Sequence, residues 1–327
     1  MEKERIKKMA KNNMVIVFLV LLCLTFCLAT STFLTMRNIM NLISQMCINA
    51  LLASGLTFVI ILGGIDIAVG STAAFAGVIA AMVGLVLPLN NFIAAVVLIV
   101  VAIIVGGLAG LFTGVMVTKL HVVPMICTLA MMVILRGLTY VVTGGTAVYG
   151  LPSSFSMLGA GRLFHSETYP NGIFPIIVIF TVIVISAMHI LLSKTVFGRH
   201  VYASGSNPEV ARLSGINVDK VNIISYTLCG ITAAFGGVLV ASKLQNGQPA
   251  ACTGYEMYAI ASTVLGGTSL TGGSGSVGRA MYGCAIIAVI NNGMNLMHIS
   301  SYWQQVVVGL IILLAVIVDL NSKIKKD

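Results

Sequence analysis

"NFIAAVVLIVVAIIVGGLAGLFTGVMVT", residues 91 to 118, is an apolar run with no charged side chain in it. A helix needs about 20 predominantly apolar residues to cross the roughly 30 Å hydrocarbon core of a bilayer, and this run is longer than that. Backbone facing lipid finds no water to bond, so a single spanning segment must be a helix that satisfies its own N–H and C=O groups. Within the run, Gly106, Gly110 and Gly114 recur every fourth residue. That spacing lines three positions without side chains along one stripe, which predicts close packing against another helix.

Working outward, nine further apolar runs lie at about 14 to 34, 40 to 62, 71 to 88, 122 to 143, 173 to 193, 218 to 241, 255 to 271, 276 to 297 and 301 to 320. Together they predict an all-α polytopic membrane protein with about ten transmembrane helices in a single transmembrane domain spanning 1–327. Composition agrees: 58% of residues are hydrophobic and 8% charged, with a mean hydropathy of +1.05, whereas soluble domains carry about 25% charged residues. Met14 to Leu34 is longer than the h-region of a signal peptide, about 7 to 15 residues, and reads as a retained first helix.

Charge sets the expected orientation. Lys3, Arg5, Lys7, Lys8 and Lys11 precede the first run, Lys323, Lys325 and Lys326 follow the last, and Lys119, Lys194, Arg199, Arg212, Lys220 and Arg279 fall in alternate connections. Basic residues mark the cytoplasmic side, so both termini are expected inside. The basic tail 1–13 and the loop 194–217 are then cytoplasmic, and the loop 144–172 is extracytoplasmic. Arg37, Arg136, Arg162 and Lys243 are left for the outer segments and helix ends. Tyr149, Phe155, Phe164 and Tyr169 suit an interfacial loop, and Tyr302 and Trp303 an anchor for the last helix. The net charge of +9 is therefore explained by flanking residues, and no nucleic acid partner is indicated, because no basic platform is interleaved with aromatics.

Several chemistries find no support. The seven cysteines form no C-x-x-C and read as small hydrophobes, and the five histidines are scattered. "GSGSVG" at 273 to 278 has the glycine spacing of a dinucleotide loop but neither a preceding strand nor a ribose-binding acid 20 residues on, so it reads as a hinge between helices. No lysine-bearing phosphate loop, nucleophile elbow or paired carboxylates occur. The chain is not expected to be an enzyme or to hold a cofactor or metal. "LGGIDIAVGS" at 62 to 71 and "LGGTSLTGGS" at 265 to 274 share the spacing L-G-G, five residues, G-S. This raises a possible internal repeat, a common feature of transporters.

"FGRHVYASGSNPEVARLSGINVDK", residues 197 to 220, is the longest polar stretch in the body of the chain. Asn207 is placed to cap a helix, Pro208 fits its first position, Glu209 favours its positive end and Gly215 supplies a stop. About two turns are predicted, too few to stand alone. Such a helix either lies at the headgroups or packs against a soluble partner.

The segments "GGIDIAVGS" (63–71), "GRHVYASGSNPEVARLSGINVDK" (198–220), "TGYEMYAIASTVLGGTSLTGG" (253–273) and "NNGMNL" (291–296) resemble, in order and spacing, the ribose-type permease subunits of bacterial sugar ABC importers, within the branched-chain-amino-acid/ribose permease superfamily. The resemblance covers about 38 to 320. It departs at Ala68, where serine is common, and in the "GSGS" after Gly272, where a more basic turn is common. It implies a permease in the bacterial cytoplasmic membrane, importing a monosaccharide with ribose the first candidate. The implied partners are a cytoplasmic ABC ATPase, an extracytoplasmic sugar-binding protein and a second permease copy or close paralogue. It also implies that residues 205 to 215 couple to the ATPase, through Gly205, Ser206, Asn207, Pro208, Glu209, Arg212, Leu213 and Gly215.

A path for an uncharged sugar calls for neutral amides and hydroxyls. Gln45 and Asn49 share one helix face, as do Asn291 and Asn295; each pair could line the path or bond between helices. Asp66 is the acid between two apolar runs, fit either for the path or to cap the next helix. Glu256 and Asp319 fall at predicted helix ends and read as solvated or capping. The competing function is a stand-alone ion-coupled secondary transporter or facilitator, for which facing intramembrane carboxylates would be expected.

Overall fold

The computed structural model describes residues 14–87, 92–165, 167 and 169–324. The basic tail 1–13, with Lys325 and Lys326, lies outside the described residues, as do the side chains of Asp319 and Lys323. The helices in chain order are α1 (Met14–Ala29), α2 (Met36–Ile61), α3 (Val69–Val86), α4 (Phe92–Lys119), α5 (Pro124–Thr143), α6 (Ser153–Ala160), α7 (Ile177–Lys194), α8 (Val196–Ser206), α9 (Pro208–Leu213), α10 (Val218–Leu244), α11 (Tyr255–Leu265), α12 (Val277–Leu296) and α13 (Ser301–Ile324). Two-residue strands, β1 (Arg162–Leu163) and β2 (Phe174–Pro175), pair antiparallel. Among the described residues, six helices, α2 to α5, α7 and α10, are long and apolar enough to cross a membrane. The chain is an all-α multi-pass membrane protein.

Helix α10 is the hub, packing on α4, α3 and α2. The glycine stripe of α4 makes the first contact possible. A methyl at Gly106 would strike the Gly230 carbonyl, one at Gly110 the Tyr226 carbonyl, and one at Gly114 would lie 2.9 Å from the Ile223 Cα. The two backbones thus touch along three successive turns, as the spacing predicts.

The expectation for 255 to 271 needs correction. Helix α11 ends at Leu265, and its 11 residues reach about 16 Å at 1.5 Å each, half a bilayer core. The second half of that run turns instead: Gly267, Gly272 and Gly273 take φ of 84°, 86° and 78°, which L side chains rarely adopt. Helix α3 starts at a buried position too, with Gly70 against Glu256 and the Cys252 carbonyl, so that the first turns of α3 and α11 meet; halfway along α3, Gly77 packs on Gly237 of α10.

The two broken elements run in opposite senses. From the buried meeting point, α11 runs to the end of the bundle that holds α9, while α3 runs to the far end. Each is entered through an irregular stretch, 62–68 before α3 and 245–254 before α11. The turns after α2 and α11 touch, with Gly273 N–H donating to the Ile61 carbonyl at 2.8 Å.

The loop 194–217 is mostly helical, because α8 precedes α9 with the Thr195 hydroxyl capping it through Gly198 N–H. In the 144–172 loop, Tyr149 and Phe164 are exposed but Phe155 is buried. Ser242 Oγ, on α10, draws α6 down by bonding the Phe155 carbonyl at 2.5 Å.

Candidate translocation site

A cavity of about 480 Å³ opens among α2, α10, α11, α12 and α13. Gln45, Asn49, Asn291 and Asn295 all line it, so the two amide pairs lie on helix faces turned toward one another. Lys243, Tyr255, Tyr258, Ser301, Gln304 and Gln305 add further polar atoms, and Ile48, Val240 and Ile287 supply apolar wall. Asn49, 7% exposed, donates through Nδ2 to Ser262 Oγ at 2.7 Å. Its Oδ1 and that of Asn291 have no partner among the described residues. Asn295 Oδ1 accepts from Gln304 Nε2 at 2.7 Å, and Lys243 Nζ donates to Ser44 Oγ at 3.2 Å. Neutral amide groups on a partly apolar wall match a small polyol, which offers hydroxyl donors and acceptors.

Asn49 and Asn295 thus bond between helices as well as lining the cavity, and the residue after Asn291 bonds between helices. Asn292 and Asn38, both buried, exchange two hydrogen bonds of 2.9 and 2.8 Å between α12 and α2. A helix turn of about 100° per residue separates this structural amide from its cavity-lining neighbour Asn291.

Asp66 does not line the cavity. It is buried, and its Oδ1 accepts from Ala68 N–H at 2.9 Å, turning the chain into α3. That bond shapes the turn at the residue preceding α3, whose own first N–H groups receive no side-chain cap. The irregular stretch on the other side is held by Arg136, whose Nη1 donates to the carbonyls of Pro249 and Ala251, each at 2.8 Å. An antiparallel bridge, Val148 to Gly247, adds two more bonds. Non-helical backbone inside a membrane bundle must be satisfied by protein. Glu256 is buried rather than solvated and accepts from Gly254 N–H; the role of Arg136 is not legible in the sequence because its partners lie more than a hundred residues away.

At the opposite end from the cavity mouth, α9 projects. Asn207 Oδ1 accepts from Glu209 N–H at 3.0 Å and Val210 N–H at 3.1 Å, Pro208 occupies the first position, and Gly215 ends the turn at φ 82°. Val210 is 56% and Leu213 88% exposed, an apolar surface without cover. Arg212 Nη2 lies 3.5 Å from Asp219, which also holds Lys119 at 2.7 Å, so α9 is tied to the ends of α4 and α10. Gly205 and Ser206 end α8: a methyl at Gly205 would strike the Ile61 carbonyl, while Ser206 is exposed and touches Gly273 at one edge. They join α9 to the turns after α2 and α11.

Residues 38–316 match the family described as branched-chain amino acid transport system / permease component. The chain belongs to this permease family. It is 40% identical over 317 residues to the ribose import permease protein RbsC of Escherichia coli K12, covering 96% of this chain and 94% of that one. It is 41% identical over 294 residues to RbsC of Bacillus subtilis 168, covering 88% and 86%. The D-allose transport system permease protein AlsC of E. coli K12 is 35% identical over 292 residues, covering 89% and 86%. No solved structure matches.

Proposed function

We propose that this permease is the membrane subunit of an ATP-driven importer of a monosaccharide, ribose first, in the bacterial cytoplasmic membrane. Ten of its helices, α1 to α5, α7 and α10 to α13, make up the membrane domain over 1–327, with both termini and α9 on the cytoplasmic side. The described basic residues support that orientation: Lys119, Lys194, Arg199, Arg212, Lys220 and Arg279 all lie toward the α9 end. A cytoplasmic ABC ATPase docks on residues 205 to 215, a sugar-binding protein delivers at the cavity mouth, and a second copy or close paralogue completes the pore.

The observation that carries this reading is the pairing of a cavity lined mainly by neutral amides and hydroxyls, with Lys243 at its wall, at one end with an exposed, capped helix at the other. In the mechanism, closure of the ATPase pair moves α9, and with it α8 and the glycine turns at 63 and 272–273, rocking the two broken helices so that the path opens first outward and then inward. Gln45, Asn49, Asn291 and Asn295 hold the sugar briefly through its hydroxyls.

The test is reconstitution with candidate ATPase and binding-protein partners, screening sugars for stimulated ATP hydrolysis and uptake. Ribose is expected to stimulate both, and Asn49→Leu with Asn291→Leu to cut uptake at least tenfold while basal ATP hydrolysis persists. Sugar accumulation in vesicles holding this chain as their only protein would instead establish a stand-alone carrier.

A further inference from the structure

Beneath the cavity, Cys252 and Tyr255 form part of the floor, and directly behind them α11 begins. Glu256 is the second residue of that helix, 9% exposed. Its Oε1 accepts from Gly254 N–H at 3.2 Å, and its Oε2 has no hydrogen-bond partner among the described residues. That free oxygen is pressed against Gly70, the second residue of α3, where an added methyl would overlap it and approach the Cys252 carbonyl to 2.7 Å. One carboxylate therefore sits between the N-terminal turns of α3 and α11.

The physics of that position is specific. The first turn of any helix carries N–H groups without partners in their own helix, and a partial positive charge of roughly half a unit. Two such termini facing each other repel. A carboxylate between them offsets that repulsion through its charge. Arg136, the cation of the neighbouring helix α5, is engaged by the Pro249 and Ala251 carbonyls.

We propose that Glu256 is the latch of the cavity floor: its carboxylate clamps the first turn of α3 to that of α11, and passage of solute requires these two turns to part. Glu256 is a positioning residue and touches no solute while the floor is closed. The inference rests on the cavity being the transport path, but its test needs neither sugar nor ATPase, so the two readings can fail separately.

Cys252 provides the readout, because it lies on the floor and is buried while the latch holds. The full-length permease in lipid nanodiscs is treated with a water-soluble maleimide, and labelling at Cys252 is followed by mass spectrometry for wild type, Glu256→Gln, Glu256→Asp and Gly70→Ala. Glu256→Gln removes the charge and places an amide donor among the helix N–H groups; labelling at Cys252 is expected to accelerate at least tenfold. Gly70→Ala keeps the charge and wedges the turns apart, with the same result, while Glu256→Asp stays within threefold of wild type. Unchanged labelling in monodisperse Glu256→Gln and Gly70→Ala overturns the latch. So does loss of the monodisperse peak in all three variants, which assigns Glu256 to folding alone. If labelling responds as expected but no sugar stimulates the reconstituted assembly, the latch stands and the importer reading falls.

Discussion

Replacing Glu209 and Arg212 together by alanine, or deleting residues 207–214, is expected to abolish ATP-driven uptake, by a hundredfold or more, while the protein still inserts and remains monodisperse. Both side chains are exposed on α9, and the Arg212–Asp219 contact of 3.5 Å lies at the surface. Exposed pairs of this kind contribute about 0–1 kcal/mol. The fold should therefore barely register the double substitution. A helix of six residues cannot hold itself together in isolation, yet this one is capped at both ends and leaves Val210 and Leu213 uncovered. Sugar uptake in vesicles and the height of the monodisperse peak in detergent separate coupling from folding. Normal uptake in the double variant would remove α9 from the coupling mechanism.

Gly110→Leu is expected to have an effect of the opposite kind, eliminating folded protein and not only its activity. A methyl at Gly110 would already overlap the Tyr226 carbonyl and sit 2.9 Å from its carbon, and leucine adds three further carbons. Overpacked side chains in a core typically cost about 1–3 kcal/mol because neighbouring side chains give way; here the obstacle is backbone, so α4 and α10 must separate along their whole contact. The monodisperse yield should fall at least tenfold. Gly137→Leu on α5, where nothing lies within 4 Å of an added methyl, should leave yield within twofold of wild type. Equal yields for the two variants would show that the glycine stripe is not what brings α4 to α10.

The difference between these two substitutions illustrates what each level of description contains. Apolar length, cap residues and charge placement are local properties, and they sufficed for the polytopic class, for the Asn207–Pro208 start and Gly215 stop of α9, and for the helix faces carrying Gln45 with Asn49 and Asn291 with Asn295. A three- or four-residue spacing fixes a face, because the helix turns by a constant angle per residue. It does not fix what the face meets. Asn291 and Asn292 are chemically the same, yet one lines the cavity and the other exchanges hydrogen bonds with Asn38, 254 residues away in the sequence.

The same limit explains the misread elements. Residues 255 to 271 are apolar enough to suggest a span, because mean apolarity does not report where glycines with positive φ end a helix halfway. The turns at 62–63 and 272–273 share glycines, and their contact through Gly273 N–H and the Ile61 carbonyl depends on chain direction in space, which so short a match does not carry. Asp66 and Glu256 each read as an acid near a helix end, and both are indeed at helix starts. That those starts face each other inside the bundle, with Gly70 of one against the carboxylate of the other, follows from the packing of α3 and α11 around α10. By itself the sequence determined the polytopic class, the caps of α9 and which side chains share a face, since these depend on neighbours within a few residues. Only the tertiary structure decided which faces enclose the cavity and which carboxylate closes its floor, since those contacts join segments hundreds of residues apart and depend on how closely backbones can approach.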